Sequence, residues 1–179
     1  MAMIGSSCFT SRLLFLFHLL LVGASAFADD DFTFVVPMYS HEFRLGTSNA
    51  TVVESVNLYP NSTLPGFGNI IVLDNSLRVG DDPNSTVIGR FQGVLVFADM
   101  SINSSLSAGN LVFTGGEYNG SSIAFFGVFQ SFAGSVRSII GGTGRFGLAT
   151  GYLVNEPIVY TSPTTLYSLW TAYVKLPPR

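Results

Sequence analysis

Three closely spaced glycines in the second half of the chain have the spacing of a nucleotide-binding loop. Gly142, Gly144 and Gly147 form a G-x-G-x-x-G motif after the strand-like segment 136–140. A dinucleotide site built on this motif needs a helix directly after the glycines and an acidic residue about 20 positions further on. The chain continues as LATGYLVNEP, whose glycine and proline disfavour a helix, and no acid follows this segment. We therefore interpret the glycines as a tight bend between strands.

Side chains suited to acid–base or metal chemistry are few. His41 is the only histidine beyond residue 28, and Cys8 is the only cysteine. Zinc sites of Cys and His, and iron sites with two histidines, need more ligands than this. No G-x-S-x-G segment is present to indicate a serine nucleophile. We predict no metal or cofactor. Glu42 follows His41 in a strand-like segment, and periodicity alone indicates an exposed side chain on a polar face.

Short strands separated by turns must position these groups. Along 87–97, VIGRFQGVLVF, glycines alternate with large apolar residues on one face, which is typical of a strongly bent strand. The predicted strands lie near 32–43, 50–58, 68–77, 87–97, 109–115, 121–130, 135–140, 145–154 and 166–176. Beyond the first 28 residues no long helical period is visible, so the sequence predicts an all-β sandwich or barrel. Periodicity does not decide between the two.

The first 28 residues have the features of a secretory signal peptide. Arg12 precedes an apolar run over 13–22, and small residues suit cleavage after Ala26 or Ala28. The apolar run is short for a membrane span. We predict a signal peptide over 1–28, one domain over 29–179 and no membrane association. Because Cys8 lies in the signal, the mature chain is expected to lack disulfides.

Charge and sequons bound the possible partners. After residue 28 the chain keeps seven of its eight Lys and Arg residues and all eleven Asp and Glu residues, without a basic cluster. A nucleic-acid partner is therefore not expected. Asn-x-Ser/Thr tripeptides accept glycans when they are exposed in a secreted protein. The candidate glycosylation sites are Asn49, Asn61, Asn84, Asn103 and Asn119.

Several segments, in this order along the chain, resemble the plant dirigent proteins. They are MYSHEF (38–43), IIVLDNSL (70–77), VIGRFQGVLVFAD (87–99), FTGGEYNGSS (113–122) and IIGGTGRFGLATGY (139–152). The resemblance implies an eight-stranded antiparallel β-barrel that assembles into a homo-oligomer, a dimer or trimer. Glu42 takes the place of an aspartate that is thought to act in the family's pocket, so it is a candidate for proton transfer. His41, Tyr118 and Arg145 are candidate substrate-binding residues.

The function implied by the resemblance is stereochemical guidance. Such a protein is secreted to the apoplast and binds phenoxy radicals or quinone methides that a separate laccase or peroxidase generates. It then orients their coupling in lignan or related phenolic biosynthesis. Two alternatives stay open: an acid–base enzyme acting on a quinone methide, and a non-catalytic module that binds carbohydrate or wall polymer. Arg145 and Thr150 replace an acid and an arginine of many monolignol-coupling members, which weakens the inference of that particular coupling chemistry.

Overall fold

The computed structural model describes residues 32–44, 48–101, 104–130 and 134–178, with the backbone alone for 157–160. Strands make up most of this part, and two short 3-10 turns connect some of them at Gly116–Tyr118 and Gly144–Phe146. The strands are β1 (Phe34–Phe43), β2 (Val52–Val56), β3 (Ile70–Arg78), β4 (Val87–Val96), β5 (Ser105–Phe113), β6 (Ser122–Phe129), β7 (Ser135–Thr143), β8 (Thr150–Thr161) and β9 (Thr165–Lys175). No helix long and apolar enough to cross a membrane occurs among these described residues.

The strands close into an eight-stranded antiparallel barrel. From β3 to β9 each strand pairs with the next in sequence, and β1 pairs with β9 along its full length. The edge of β3 that does not face β4 pairs with two strands, with β1 at one end and with β2 at the other. Because β1 and β2 together occupy one position, nine strands give eight places around the barrel. The eight-stranded antiparallel barrel expected from the resemblance is confirmed.

Alternation along the strands divides the barrel wall into an interior and an outer face. On β9, Trp170, Ala172 and Val174 are buried in the core, and neighbours such as Thr171 are not. Across β4 and β5, Gly93 and Gly109 are paired, and a Cβ added at either would lie 2.6 or 2.7 Å from the ring of Phe91. These glycines therefore leave the space that the Phe91 ring fills inside the barrel.

Three details of the strand pattern differ from the sequence-based expectations. β5 begins at Ser105 rather than near 109, since serines and glycines there are tolerated in strands facing a barrel interior. β8 continues through Pro157 to Thr161 with register shifts after Asn155, because a proline fits an irregular pairing. β8 also begins at Thr150 rather than near 145, because Gly144–Phe146 forms a 3-10 turn before it.

Candidate functional site

The barrel interior is apolar at one end and polar toward the other. The apolar end is closed by the rings of Phe34, Phe113, Tyr118 and Phe146, which pack edge-to-face or tilted with centroids 5.0–6.1 Å apart. Beyond a middle layer of large apolar side chains, the interior positions become polar or charged. These are Ser40, Glu42, Asn75, Ser107, Arg137, Asn155 and Ser168. The polar half of the interior, defined by these seven residues, is the candidate site.

Glu42 lies near the end of β1 with its side chain on the interior face. Its register partner on β9 is Leu166, and 17% of its side chain is exposed. The guanidinium Nε of Arg44 lies 3.5 Å from Glu42 Oε1. Burial raises the pKa of the Glu42 carboxyl above its usual range, and the Arg44 charge and a hydrogen bond with Asn75 oppose that shift. Glu42 can therefore hold or accept a proton closer to neutral pH than an ordinary glutamate.

Asn75 links Glu42 to the other polar groups of the interior. It is buried on β3, where its Oδ1 accepts a hydrogen bond from Thr51 Oγ1 at 2.6 Å. Its amide nitrogen lies 3.5 Å from Ser40 Oγ, and Ser40 is paired in register with Ser168 of β9. The Ser168 hydroxyl in turn accepts a hydrogen bond from the indole Nε1 of Trp170 at 2.8 Å. Hydroxyl and amide groups thus line the interior between Glu42 and the aromatic middle layer.

Arg137 is the most unusual side chain of the interior. It is 1% exposed, and the described residues provide it no carboxylate within ion-pair distance. Its two terminal nitrogens donate to Ser107 Oγ at 3.1 Å and Asn155 Oδ1 at 3.0 Å, and its Nε has no partner. Burial lowers the pKa of Arg137 to about 9. The guanidinium therefore stays protonated at neutral pH and places a positive charge inside the barrel.

His41 lies beside Glu42 in sequence but on the opposite face of β1. Its Nε2 donates to the Gly80 carbonyl at 2.9 Å, and its ring stacks on Tyr167 at 3.9 Å. The side chain is buried under the connection between β3 and β4, and its Nδ1 has no partner. Burial lowers the pKa of His41 below its usual range, against the effect of the Gly80 hydrogen bond. His41 is positioned to hold this connection against the barrel wall.

Tyr118 and Arg145 lie together at the apolar end, far from Glu42. The Arg145 guanidinium lies 5.4 Å from the Tyr118 ring centroid and pairs with Glu117 at 2.9 Å. The Tyr118 ring lies 6.1 Å from that of Phe34, eight residues before Glu42 on β1. Eight residues of strand span about 26 Å. The four predicted site residues therefore fall into three places: Glu42 in the polar interior, His41 outside it, and Tyr118 with Arg145 at the closed end.

Sequence reasoning missed Asn75 and Arg137. The segment SVRSII around Arg137 has polar and apolar residues on both faces, so alternation does not show which face is buried. A lone arginine in a strand ordinarily indicates a solvent-facing position. The signal that could have found it is the pairing in register of β7 with β8, which places Arg137 opposite buried Leu153.

Two surface features complete the geometry. A groove of about 510 Å³ lies on the outer face of β2, β3 and β4, and residues 49–51 form one side of it. No group of three or more His, Cys, Asp or Glu residues that could hold a metal occurs in the described part of the chain. The G-x-G-x-x-G segment forms the end of β7 and the following 3-10 turn, which confirms the bend expected in place of a nucleotide loop.

Fold and site together define an eight-stranded antiparallel barrel, a size whose interior holds either packed side chains or one small ligand. The model of the dirigent-like protein family matches residues 35–174. The chain belongs to the dirigent family, as the sequence motifs indicated.

Individual relatives support this assignment. The chain is 36% identical to Dirigent protein 21 of Arabidopsis thaliana over 68% of this chain and 65% of that protein. It is 40% identical to Dirigent protein 1 of the same plant over 64% and 63%. The chain thus spans slightly under two thirds of the length of these two relatives. Pterocarpan synthase 1 of Glycine max is 30% identical over 70% of this chain and 68% of that protein.

Solved structures share the fold. Two pterocarpan synthase dirigent proteins superpose on this chain with a TM-score of 0.71 each, at 20% and 22% sequence identity. The superpositions cover 82% and 83% of this chain, and 87% and 97% of the solved chains. At this identity they establish the barrel fold and its connectivity, and the chemistry of the site has to be argued from its own residues.

Proposed function

We propose that this dirigent protein binds phenolic intermediates in the polar half of its barrel and fixes the geometry in which they couple. The observation that carries the proposal is Glu42, a half-buried carboxyl with a raised pKa in an interior whose other polar groups are hydroxyls, amides and the Arg137 guanidinium. Aromatic walls suit planar phenols, and a few polar groups fix their orientation. Holding two reactants in one arrangement favours one product stereoisomer over the others.

The reactants in this proposal are phenoxy radicals or quinone methides of the phenylpropanoid class, and their coupling belongs to lignan or related phenolic biosynthesis. A separate laccase or peroxidase generates them, since this chain has one histidine and no cysteine beyond residue 28 with which to hold a redox metal. We propose that the protein acts outside the cell, in the apoplast, as an oligomer of two or three copies.

The test is the stereochemistry of coupling. Purified protein is incubated with coniferyl alcohol and a laccase, and the dimeric products are separated by chiral chromatography. The expected result is an enantiomeric excess that rises with protein concentration and disappears when the protein is heat-denatured. Racemic products at every protein concentration would overturn the radical-coupling proposal for this substrate.

A second candidate is acid–base catalysis on a quinone methide, without radicals. It is favoured by the same raised pKa of Glu42, because a carboxyl whose pKa is raised by burial holds its proton more readily and is suited to proton transfer. The names of the pterocarpan synthase relatives also connect this fold with a synthase. Turnover of a preformed quinone methide or its hydrated precursor in the absence of oxidase would support this candidate. Dependence of every product on the oxidase would favour the first.

A further inference from the structure

We propose that Arg137 is an anion-binding residue inside the barrel and that its ligand is an aromatic carboxylate. The proposal deepens the function proposed above, because it assigns one chemical class to the ligand of the same interior. Arg137 lies on β7, is 1% exposed and has no carboxylate partner among the described residues.

The first step of the argument is the missing counter-charge. Buried charges in proteins are ordinarily paired, because an ion moved from water to the interior loses several kcal/mol of solvation. Arg137 donates hydrogen bonds only to the neutral oxygens of Ser107 and Asn155, and its Nε–H has no acceptor. A guanidinium has five N–H donors in a planar fork that matches a carboxylate. An anionic ligand would supply both the missing charge and the missing acceptor.

The second step is the aromatic surround. The guanidinium carbon lies 4.4 Å from the ring centroid of Trp170, 4.7 Å from Phe125 and 5.5 Å from Phe129. Trp170 and Phe125 are buried, whereas Phe129 is only half-buried near the end of β6. Among the three rings around Arg137, Phe129 is therefore the least buried. A ligand whose own ring replaces that of Phe129 keeps the guanidinium covered and brings its carboxylate to the fork.

The third step is the choice of anion. A carboxylic acid has a pKa near that of a glutamate side chain, about 4.3, and a phenol has one near that of tyrosine, about 10. At neutral or mildly acidic pH the carboxylate is ionised and the phenol is not. An interior cation therefore selects phenolic acids over phenolic alcohols of the same size. Ferulate and coniferyl alcohol form the test pair, since they differ by a carboxylate in place of a hydroxymethyl group.

The experiment uses the single tryptophan of the chain as the reporter. Trp170 contacts Arg137, so quenching of its fluorescence reports occupancy beside the guanidinium. Ferulate and coniferyl alcohol are titrated into the purified full-length mature protein. We expect saturable quenching by ferulate, with an affinity at least tenfold above that for coniferyl alcohol, since hydrogen bonds between charged groups are stronger than those between neutral ones.

Variants locate the effect. Arg137→Met should reduce ferulate affinity roughly tenfold or more and leave coniferyl alcohol unchanged. Its fold should persist, since an apolar replacement of a buried ion is often neutral or stabilising. Arg137→Lys keeps the positive charge but loses the planar guanidinium, so it should bind ferulate with intermediate affinity. This variant provides the test if Arg137→Met does not fold. Arg90→Met removes an arginine from the outer face of β4 and should bind both probes as the wild type does.

The outcomes separate this proposal from the one above. Equal affinity for the two probes, or ferulate binding that Arg137→Met leaves unchanged, would overturn the carboxylate site, and the coupling assay with coniferyl alcohol could still succeed. Absence of quenching by ferulate would also overturn it. Conversely, selective ferulate binding with racemic products from coniferyl alcohol would support the carboxylate site and contradict the coupling proposal for that alcohol. Phe129→Ala should speed ferulate association, because the ring competes with the ligand for the same face.

Discussion

At the scale of single residues, the protein places two neighbouring side chains in opposite environments. Glu42 and His41 are adjacent on β1, yet the first faces the barrel interior and the second the outer face. Burial acts on both in the direction that favours the uncharged form, so it raises the pKa of Glu42 and lowers that of His41. The two residues therefore respond to pH in opposite directions and call for separate tests.

Glu42→Gln tests whether the carboxyl transfers a proton. If it does, the rate or selectivity should fall about 10²–10⁴-fold, because general acid–base help is of that size. The fold should persist, since the amide has nearly the same shape. Glu117→Gln, which alters an exposed carboxyl at the other end of the barrel, is the matched control. Product analysis gives the answer, and unchanged rate and enantiomeric excess in Glu42→Gln would remove this residue from the mechanism.

Glu42→Gln should also change how the folding stability of the protein depends on pH. The folded protein holds the Glu42 proton more tightly than the unfolded chain does, so the wild type loses stability as pH rises from the unfolded value of about 4.5 through the raised folded pKa. Glu42→Gln should not show this loss and should melt no lower than the wild type at pH 7. Melting curves across pH 4–8 measure it. A wild type whose stability changes in parallel with the variant would contradict the raised pKa.

For His41 we expect the opposite dependence of folding stability on pH. The unfolded chain binds a proton near pH 6.5 and the folded protein resists it, so stability falls as pH drops below about 6.5. His41→Gln keeps a donor for the Gly80 carbonyl without titrating, and is expected to remove this component. Arg78, Asp81 and Asp82 also act on the ring, so the difference between wild type and variant in urea unfolding is the quantity to measure. Parallel pH profiles would exclude a contribution from His41.

At the scale of elements, the closed end of the barrel depends on the turn between β7 and β8. Gly144 begins this turn with φ +60°, and a Cβ there would lie 2.6 Å from Ser121 Oγ and 3.0 Å from Ser121 Cα. The Ser121 hydroxyl also accepts the Arg145 backbone N–H at 3.0 Å. The turn thus packs against the β5–β6 connection and positions Phe146 and Arg145 beneath Tyr118.

Gly144→Ala should therefore destabilise the protein by more than backbone strain alone would, because the added methyl group also clashes with Ser121. Gly120 is the matched control, because it has φ +81° and no atom within 4 Å of an added Cβ. We expect Gly120→Ala to cost about 1–2 kcal/mol from the left-handed backbone. Gly144→Ala should cost about 1–3 kcal/mol more, from the forced shift of Ser121. Chemical denaturation measures both, and equal losses would show that the turn accommodates the methyl group.

The elements were largely predictable from sequence, whereas of the polar interior the sequence indicated Glu42 but not Asn75 or Arg137. Alternation in VIGRFQGVLVF predicted a strand whose glycines and rings share one face, opposite Arg90 and Gln92, and the structure has β4 there. Barrel closure followed from the family resemblance, since β1 pairing with both β9 and β3 is a non-local contact that local patterns do not specify. Arg137 was missed because its strand has no apolar face, and only pairing with β8 fixes which side is inside.

At the scale of the whole molecule, the outer face combines little charge with exposed apolar side chains. Charged residues make up 11% of the chain. On the outer faces of β6 and β7, the exposed fractions are 44% for Phe126, 56% for Val128, 54% for Val136 and 64% for Ile140. Exposed apolar side chains of this kind favour association. They are covered either by a second copy of the chain or by added polar groups that keep the copies apart. The sequons supply one source of polar groups.

Glycosylation is therefore predicted at two or more of Asn61, Asn84 and Asn103. Asn61 and Asn84 are exposed, as are Asn49 and Asn119, and Asn103 lies outside the described residues. An exposed sequon accepts a glycan only in a chain that passes through the secretory pathway, so the mass of the protein also tests export.

Protein secreted from insect or plant cells should lose mass in discrete steps on glycosidase treatment. Asn61→Gln and Asn84→Gln should each remove one step, and the double variant should associate at lower protein concentration than the wild type. Secreted protein with the unmodified mass would contradict the prediction and leave assembly between copies as the way to cover the apolar faces of β6 and β7.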